Sequence, residues 1–515
     1  MLLHDFLTES AGKFPDKTAL IFKDRRITYR ELDRQANRLA HALIDLGVER
    51  GERVAIFLDN SPESVIALFG VIKAGAAFIM LSAALKAGKL GYILSQSGAR
   101  ALISHRNKLG ILDSLTVPSG MVKIIIGEDN PCPSSDLCPE RRNIDLDLAA
   151  IVYTSGSTGD PKGVMMTHLN MVCAATSIIR YLKITSDDIT MNVLPLSFNY
   201  GLYQVLMAVR CGGTVVLEKS FLYPYAVIEK MIREKVTGFP LVPTLAAMML
   251  QMESLKEYDF SSLRYITNAG AALPESHIRK LKAVFPQAAI YSMYGLTECT
   301  RVSYLPPEEL DRRPNSVGKP MPNVEAFIVD EKGNEVGPGV VGELVVRGSN
   351  VMRGYWNDPE GTNRVLKAGR YQGEQILYTG DLFRMDEEGY LFFVSRKDDL
   401  IKTRGERVSP REVENVLCQI DGVSEAAVIG VPDDLLGQAI KAFILPCRGR
   451  SLGEKEIIAW CMNRLEFFMV PKYVEFLSEF PRTGTGKIDR KKLAMILKNE
   501  HRENKKISTY HYDIK

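Results

Sequence analysis

Tyr153-Thr154-Ser155-Gly156-Ser157-Thr158-Gly159-Asp160-Pro161-Lys162-Gly163 packs short hydroxyls, main-chain N–H groups and one lysine into a single run. Ser and Thr are small donors. Gly lets the backbone approach an anion closely and adopt positive φ, and consecutive N–H groups make an anion-binding concavity. The run therefore reads as a polyphosphate cradle. Apolar Ile151 and Val152 predict a strand entering it, and 167–179 has the period of a helix leaving it. Pro161 before Lys162 and Gly163 after it break the GxxxxGK[ST] spacing, so the loop is not that of a P-loop nucleotide hydrolase.

Outward from the loop, helical and strand-like segments alternate. An amphipathic helix is predicted over 29–46, a strand over 53–58 and a helix over 64–73. Strand–helix pairs recur at 193–195 and 201–209, at 213–217 and 225–234, and at 265–268 and 274–284. Such repetition favours stacked, largely parallel sheets. From about residue 320 the chain changes to short strands and Gly-rich turns (326–330, 332–334, 342–347), which predicts a β-rich subdomain. After Arg396 a compact unit follows, with helices over 409–419 and 453–465 and strands over 426–431 and 439–445. The fold class is thus α/β. A large N-terminal domain (1–397) carries the stacked sheets, a small α+β C-terminal domain (398–515) follows, and the last dozen polar residues read as a frayed tail.

Composition narrows the function. The chain has 515 residues, with 65 Lys plus Arg against 62 Asp plus Glu, and a formal charge of +3 is too small at this size for a nucleic-acid field. Cys132, Cys138, Cys173, Cys211, Cys299, Cys418, Cys447 and Cys461 form no CxxC pair, so neither a disulfide scaffold nor a zinc site is expected. Asp5, Glu9 and Lys13 interrupt any leader-like apolar start, and a cytoplasmic location is the expectation. The most apolar region, 65–85, contains Lys73, Gly70 and Gly75 and reads as a buried helix-turn-strand instead of a transmembrane span.

The complete loop resembles the signature of the AMP-forming adenylating superfamily, which includes acyl-CoA synthetases, adenylation domains of peptide synthetases and luciferases. Further stretches match in the same order, and the likeness is greatest to a stand-alone acyl-CoA synthetase. The resemblance implies ATP, Mg2+ and CoA, or a carrier-protein phosphopantetheine in place of CoA, as cofactors and acceptors. Thr154, Ser155, Gly156, Ser157, Thr158, Gly159 and Lys162 would hold phosphate, with Thr154 counted among the catalytic groups. Asn268-Ala269-Gly270-Ala271-Ala272-Leu273 resembles the adenine-side loop, where Gly270, Ala271 and Ala272 leave room for a flat base. Tyr294-Gly295-Leu296-Thr297-Glu298 resembles the YGxTE motif. There Tyr294 and Gly295 lie beside adenine, Thr297 meets phosphate and Glu298 holds magnesium, a hard cation suited to oxygen ligands. Asp381 in Tyr378-Thr379-Gly380-Asp381 would bind ribose, and Arg396, preceded by Ser395 where the family usually has glycine, would reach the nucleotide. Lys487, in Pro481-Arg482-Thr483-Gly484-Thr485-Gly486-Lys487, would enter the site during adenylation. The same resemblance implies a mobile C-terminal domain turning about a hinge at Asp398, with Gly405 lining a pantetheine channel.

Leu194-Pro195-Leu196-Ser197-Phe198-Asn199-Tyr200-Gly201-Leu202 corresponds to the mouth of the acid pocket, towards which motif register also brings Tyr203, Thr267, Ala269, Met293 and Arg301. Many CoA ligases have histidine where Phe198 stands. Peptide-synthetase domains usually have aspartate where Asn199 stands, and asparagine cannot neutralise an α-ammonium, whose unpaired burial is costly. An ordinary amino acid is therefore disfavoured, and aryl and fatty acids both stay open. Arg301 reads first as half of a structural salt bridge and second as the partner of a polar or anionic tail. Loading of a carrier protein is the alternative to CoA, and an oxygen-using luciferase-like oxidase stands third. Neither nucleic acid nor a membrane span is expected to be involved, and the oligomeric state is left open.

Overall fold

In a computed structural model the described residues are 1–115, 120–126, 135–155, 161–397, 399–404, 406–433, 435–447, 449–450, 452–483, 486–490 and 492–495. The loop residues Gly156, Ser157, Thr158 and Gly159, the hinge Asp398, the channel glycine Gly405, Cys132 and the tail all lie outside that set. The chain forms two compact units. One comprises Met1–Ala272, Leu281–Phe327 and Val345–Thr379, the other Leu273–Lys280, Ile328–Leu344 and Gly380–Lys515.

The first unit holds two large sheets. In one, the parallel strands Thr18–Phe22, Thr214–Leu217, Ile189–Asn192, Gly238–Leu241, Tyr265–Asn268 and Ala289–Tyr294 lie side by side in that order, flanked by antiparallel edges. In the other the order is Gly354–Tyr355, Pro161–Thr167, Leu148–Ser155, Ala77–Met80, Arg53–Phe57, Ala101–His105 and Val122–Ile126. Val54, Ala55, Ile56 and Phe57 are fully buried in succession, as expected of a parallel strand covered on both faces. The helix Tyr29–Asp45 starts at a capping box, in which Thr28 and Glu31 satisfy each other's backbone N–H groups. Its Asp33 and Asn37 take the ammonium of buried Lys73 at 2.5 and 2.6 Å. Lys73 ends the helix Pro62–Lys73, which turns at Gly75 (φ 91°) into Ala77–Met80, so the apolar 65–85 region is a core segment.

Two local expectations change. A strand, Pro161–Thr167, intervenes between the cradle loop and its helix. It pairs antiparallel with Leu148–Ser155, and the helix His168–Leu182 begins only after Thr167 has capped it. The ladder to Leu148–Ser155 carries that strand. The strand expected over 193–195 ends earlier, at Asn192. Beyond it, side-chain amides replace a sheet ladder: Leu194 N–H donates to Asn192 Oδ1 (3.1 Å), Leu196 N–H to Asn60 Oδ1 (3.0 Å), and Asn60 Nδ2 to the Leu194 carbonyl (2.9 Å).

The second unit is smaller and mixed. Glu406–Val408, Ile401–Thr403, Gly437–Pro446 and Val423–Asp433 form a sheet in that order, with Tyr473–Phe476 parallel to Gly437–Pro446. The helices Pro410–Leu417 and Glu454–Met462 close a core containing Val413, Leu417, Val428, Ile440 and Ile457. The hairpin Asp381–Arg396 belongs to this unit by contact, because Ser409 Oγ donates to the Val394 carbonyl at 2.6 Å and Arg411 lies 5.1 Å over the Phe393 ring. The sequence reading instead draws its line at Lys397–Asp398.

Candidate active site

Thr154 and Lys162 face each other across the hairpin that carries the cradle loop. The short strand Gly354–Tyr355 continues the sheet beyond Lys162, with Tyr355 opposite Val164. This places the Lys162 ammonium 5.0 Å over the Tyr355 ring and 3.3 Å from the Asp358 carboxylate. The Tyr355 hydroxyl donates to Glu298 Oε1 at 2.7 Å. One side chain thus touches both the lysine assigned to phosphate and the glutamate assigned to magnesium. Gly163 makes the close approach possible: a Cβ there would sit 2.7 Å from Ile151 and 3.3 Å from the Trp356 Cβ. Sequence reasoning missed Tyr355 and Asp358. The available signal was an aromatic pair followed by Asp358-Pro359, a helix start, since Asp358 caps Pro359–Val365 through Gly361 N–H.

Among the described residues no trio of acidic, histidine or cysteine side chains could cage a metal. The half-buried Glu298 carboxylate, held by the Tyr355 hydroxyl, fits a magnesium ion that keeps its waters and is shared with nucleotide phosphates.

Tyr294 ends the strand Ala289–Tyr294, and Gly295, Thr297 and Glu298 lie in the link from it to the antiparallel strand Ser303–Leu305. The link is tight. A Cβ on Gly295 would stand 2.3 Å from the Thr300 carbonyl oxygen, and Thr300 itself has φ 63°. On the neighbouring parallel strand, Asn268 Nδ2 donates to the Ala271 carbonyl at 2.9 Å, which curls the Ala269-Gly270-Ala271-Ala272 turn, with Gly270 at φ 90°. Both turns follow the carboxyl ends of adjacent strands, where ligands bind in open α/β sheets.

In the second unit Asp381 and Arg396 are directly paired across the hairpin, with Nε 3.2 Å from Oδ1. Gly380 (φ 70°) donates its N–H to Glu343 at 3.0 Å, and Lys397 Nζ lies 3.2 Å from the same carboxylate. Lys487 is exposed on a turn closed by Gly486 N–H to the Thr483 carbonyl (2.9 Å) and Thr483 N–H to the Lys487 carbonyl (2.8 Å).

The predicted acid-pocket residues come together in the first unit. Tyr200 and Thr267 share a 2.6 Å hydrogen bond, Phe198 meets the Tyr200 ring edge-on at 6.2 Å, and Thr300 Oγ1 donates to Tyr203 at 3.3 Å. The Tyr181 hydroxyl lies 3.0 Å from Met293 Sδ, and its ring stacks on Tyr304 at 4.0 Å. Ala269 is buried nearby in sequence to Thr267. The salt bridge expected of Arg301 is absent: no carboxylate among the described residues reaches it, although it is 5% exposed, and its Nε makes no hydrogen bond. Its guanidinium instead lies 5.4 Å over the Tyr200 ring. The backbone turn that fixes Thr300 points Arg301 inward, away from surface acids. Asn199, 8% exposed, has both amide atoms unpaired.

Comparison with known proteins identifies the family. The AMP-binding enzyme pattern matches residues 7–356 and the AMP-binding enzyme C-terminal domain pattern matches residues 412–487. The chain belongs to the AMP-binding enzyme family, and with that membership comes the class of activity, ATP-dependent activation of a carboxylic acid followed by thioester formation with CoA. It is 31% identical to a long-chain-fatty-acid–CoA ligase of Bacillus subtilis (strain 168), over 95% of this chain and 94% of that one. It is 35% identical to a feruloyl-CoA synthase of Amycolatopsis sp, over 92% of this chain and 94% of that one. A solved structure of the anthranilate CoA ligase AuaEII in complex with anthranoyl-AMP aligns with a TM-score of 0.90 at 30% identity, covering 96% and 97% of the two chains.

Proposed function

We propose that this protein is a cytoplasmic acyl-CoA synthetase for an aryl or fatty acid. A substrate carboxylate oxygen attacks the α-phosphorus of ATP, the bond to pyrophosphate breaks, and an acyl-AMP forms. A CoA thiolate then attacks the acyl carbonyl and AMP leaves. Thr154, Ser155, the loop 156–159 and Lys162 hold the phosphates. Gly270, Ala271, Ala272, Tyr294 and Gly295 frame adenine, Asp381 accepts the ribose hydroxyls and Arg396 adds positive charge. Magnesium, bound with the nucleotide, would be held by Glu298 and would offset the triphosphate's charge. Lys487 stabilises charge at the attacked phosphorus, which needs no change in its protonation.

The observation that carries this reading is the Lys162–Tyr355–Glu298 contact, in which one tyrosine holds a cation by its ring and a carboxylate by its hydroxyl, the lysine following the Ser/Thr/Gly run in sequence. Relatives named for long-chain fatty acids, ferulate and anthranilate support a carboxylic acid other than an α-amino acid. No helix among the described residues is long and apolar enough to cross a membrane. ATP–pyrophosphate exchange across fatty, aryl and α-amino acids tests the first step, and thioester formation with CoA or with a holo-carrier protein tests the second. Exchange with aryl or fatty acids and transfer to CoA are expected. Exchange driven only by amino acids would overturn the acid class, transfer only to the carrier would overturn the CoA assignment, and oxygen uptake without thioester would revive the oxidase.

A further inference from the structure

Arg301 and Asn199 are buried polar side chains of the first unit that carry unpaired atoms, Nε in the one and both amide atoms in the other. Arg301 has no carboxylate partner, yet its surroundings are apolar and aromatic. Burial pushes the phenols of Tyr181, Tyr200 and Tyr203 up, the Arg301 charge opposes this at all three, and the Arg301 side chain also hydrogen-bonds Tyr181. Its main chain is locked. Arg301 N–H donates to the Cys299 carbonyl at 2.7 Å, and its own carbonyl takes Asn350 Nδ2 at 2.8 Å, an amide that also binds the Cys299 carbonyl at 2.8 Å. A tight turn that needs glycine at 295 and positive φ at Thr300 thus presents a fixed cation to the pocket wall.

A buried guanidinium without a counter-anion is strongly unfavourable, and aromatic faces offset only part of the loss. Asn199, the neighbour of Tyr200 in sequence, adds a buried, unpaired donor and acceptor. A purely hydrocarbon acid would leave the Arg301 charge without a counter-anion and the Asn199 amide unpaired in the loaded enzyme. An α-amino acid would bring a second cation towards Arg301.

We propose that the natural acid is a dicarboxylic acid: one carboxylate is adenylated, and the second is held by Arg301 with the Asn199 amide as a further donor. This deepens the acid-activating reading and rests on it. It adds no new chemistry to the reaction, since the second carboxylate stays ionised and unreacted while it orients the first.

The test is pyrophosphate exchange with matched acids: octanoate, octanedioate and its monomethyl ester, and cinnamate, 4-carboxycinnamate and its 4-methyl ester. A site built around a charged partner rejects analogues lacking it, so the wild-type kcat/KM is expected to favour at least one diacid over its monoacid and ester by about 100-fold. Arg301→Met should bring that ratio to about one or below, while Arg301→Lys, which keeps the charge but loses the planar fork, should retain part of it. If Arg301→Met does not fold, the wild-type ratio and the Lys variant still decide. Equal or better exchange with monoacids overturns the dicarboxylate and leaves the acid-activating function standing, whereas no exchange with any acid overturns both.

Discussion

Tyr355 couples Glu298 to Lys162. Its hydroxyl orients Glu298 while its ring face receives Lys162, so replacing the hydroxyl alone separates the two contacts. Tyr355→Phe keeps the ring. Loss of an outer hydrogen bond to a metal-holding carboxylate typically costs 10–100-fold, and we expect exchange to fall by about 10-fold, with more Mg2+ needed for half-maximal rate. Magnesium titration at saturating ATP checks this, and an unchanged titration midpoint would remove Glu298 from magnesium binding. At this scale the sequence showed Glu298 and Lys162 by motif, but Tyr355 lies almost 200 residues from Lys162 and is brought close only by a two-residue edge strand. Arg301 shows the opposite case. Its position was legible, yet a salt bridge was the natural reading because only the folded turn at Gly295–Thr300 turns the side chain away from every acid.

The elements around the loop can be tested through their ends. Asp358 caps the helix Pro359–Val365, and its carboxyl is held below the usual range, first by the Gly361 N–H and then, against some desolvation, by the Lys162 charge. A folded pKa below the unfolded value of about 3.9 means the stabilisation is fully present above that value and is lost as pH falls through the folded one. Asn is an equally good cap, so Asp358→Asn isolates the charge. Because the pair is partly exposed, the variant should lose about 0.5 kcal/mol at pH 7. That difference should shrink below about pH 4, and urea melts from pH 3 to 7 would read it. A difference independent of pH would deny the carboxylate this role. Gly295→Ala is a harsher change: its Cβ would meet backbone at 2.3 Å, and overpacking of this kind costs about 2 kcal/mol, read as a lower urea midpoint. Elements with a strong period, such as Tyr29–Asp45 and Tyr265–Asn268, were legible to within a residue or so. The strand Pro161–Thr167 was not, because Pro, Lys and Gly at its start speak of a turn, and the ladder to Leu148–Ser155 outweighs that local preference.

Across the whole molecule, the chemistry asks one lysine to serve only half of the reaction. During adenylation a cation must stand at the α-phosphate, but thioester formation needs that approach open to a thiol, and the ammonium then has nothing to stabilise. The backbone at Lys487 is held by the Thr483 N–H, which donates to the Lys487 carbonyl at 2.8 Å, so in the proposed rotation the side chain would move with its domain. Lys487→Ala is therefore expected to lower ATP–pyrophosphate exchange by at least about 100-fold, within the range for loss of a transition-state charge. Thioester formation from a supplied acyl-AMP and CoA should stay near the wild-type rate. Asp398→Pro, which removes backbone freedom at the proposed hinge, should separate the two steps without touching the lysine, slowing one far more than the other. Equal loss of both half-reactions in Lys487→Ala would mean that the lysine supports the fold or the nucleotide throughout. Equal loss in Asp398→Pro would mean that a single arrangement of the chain performs both steps.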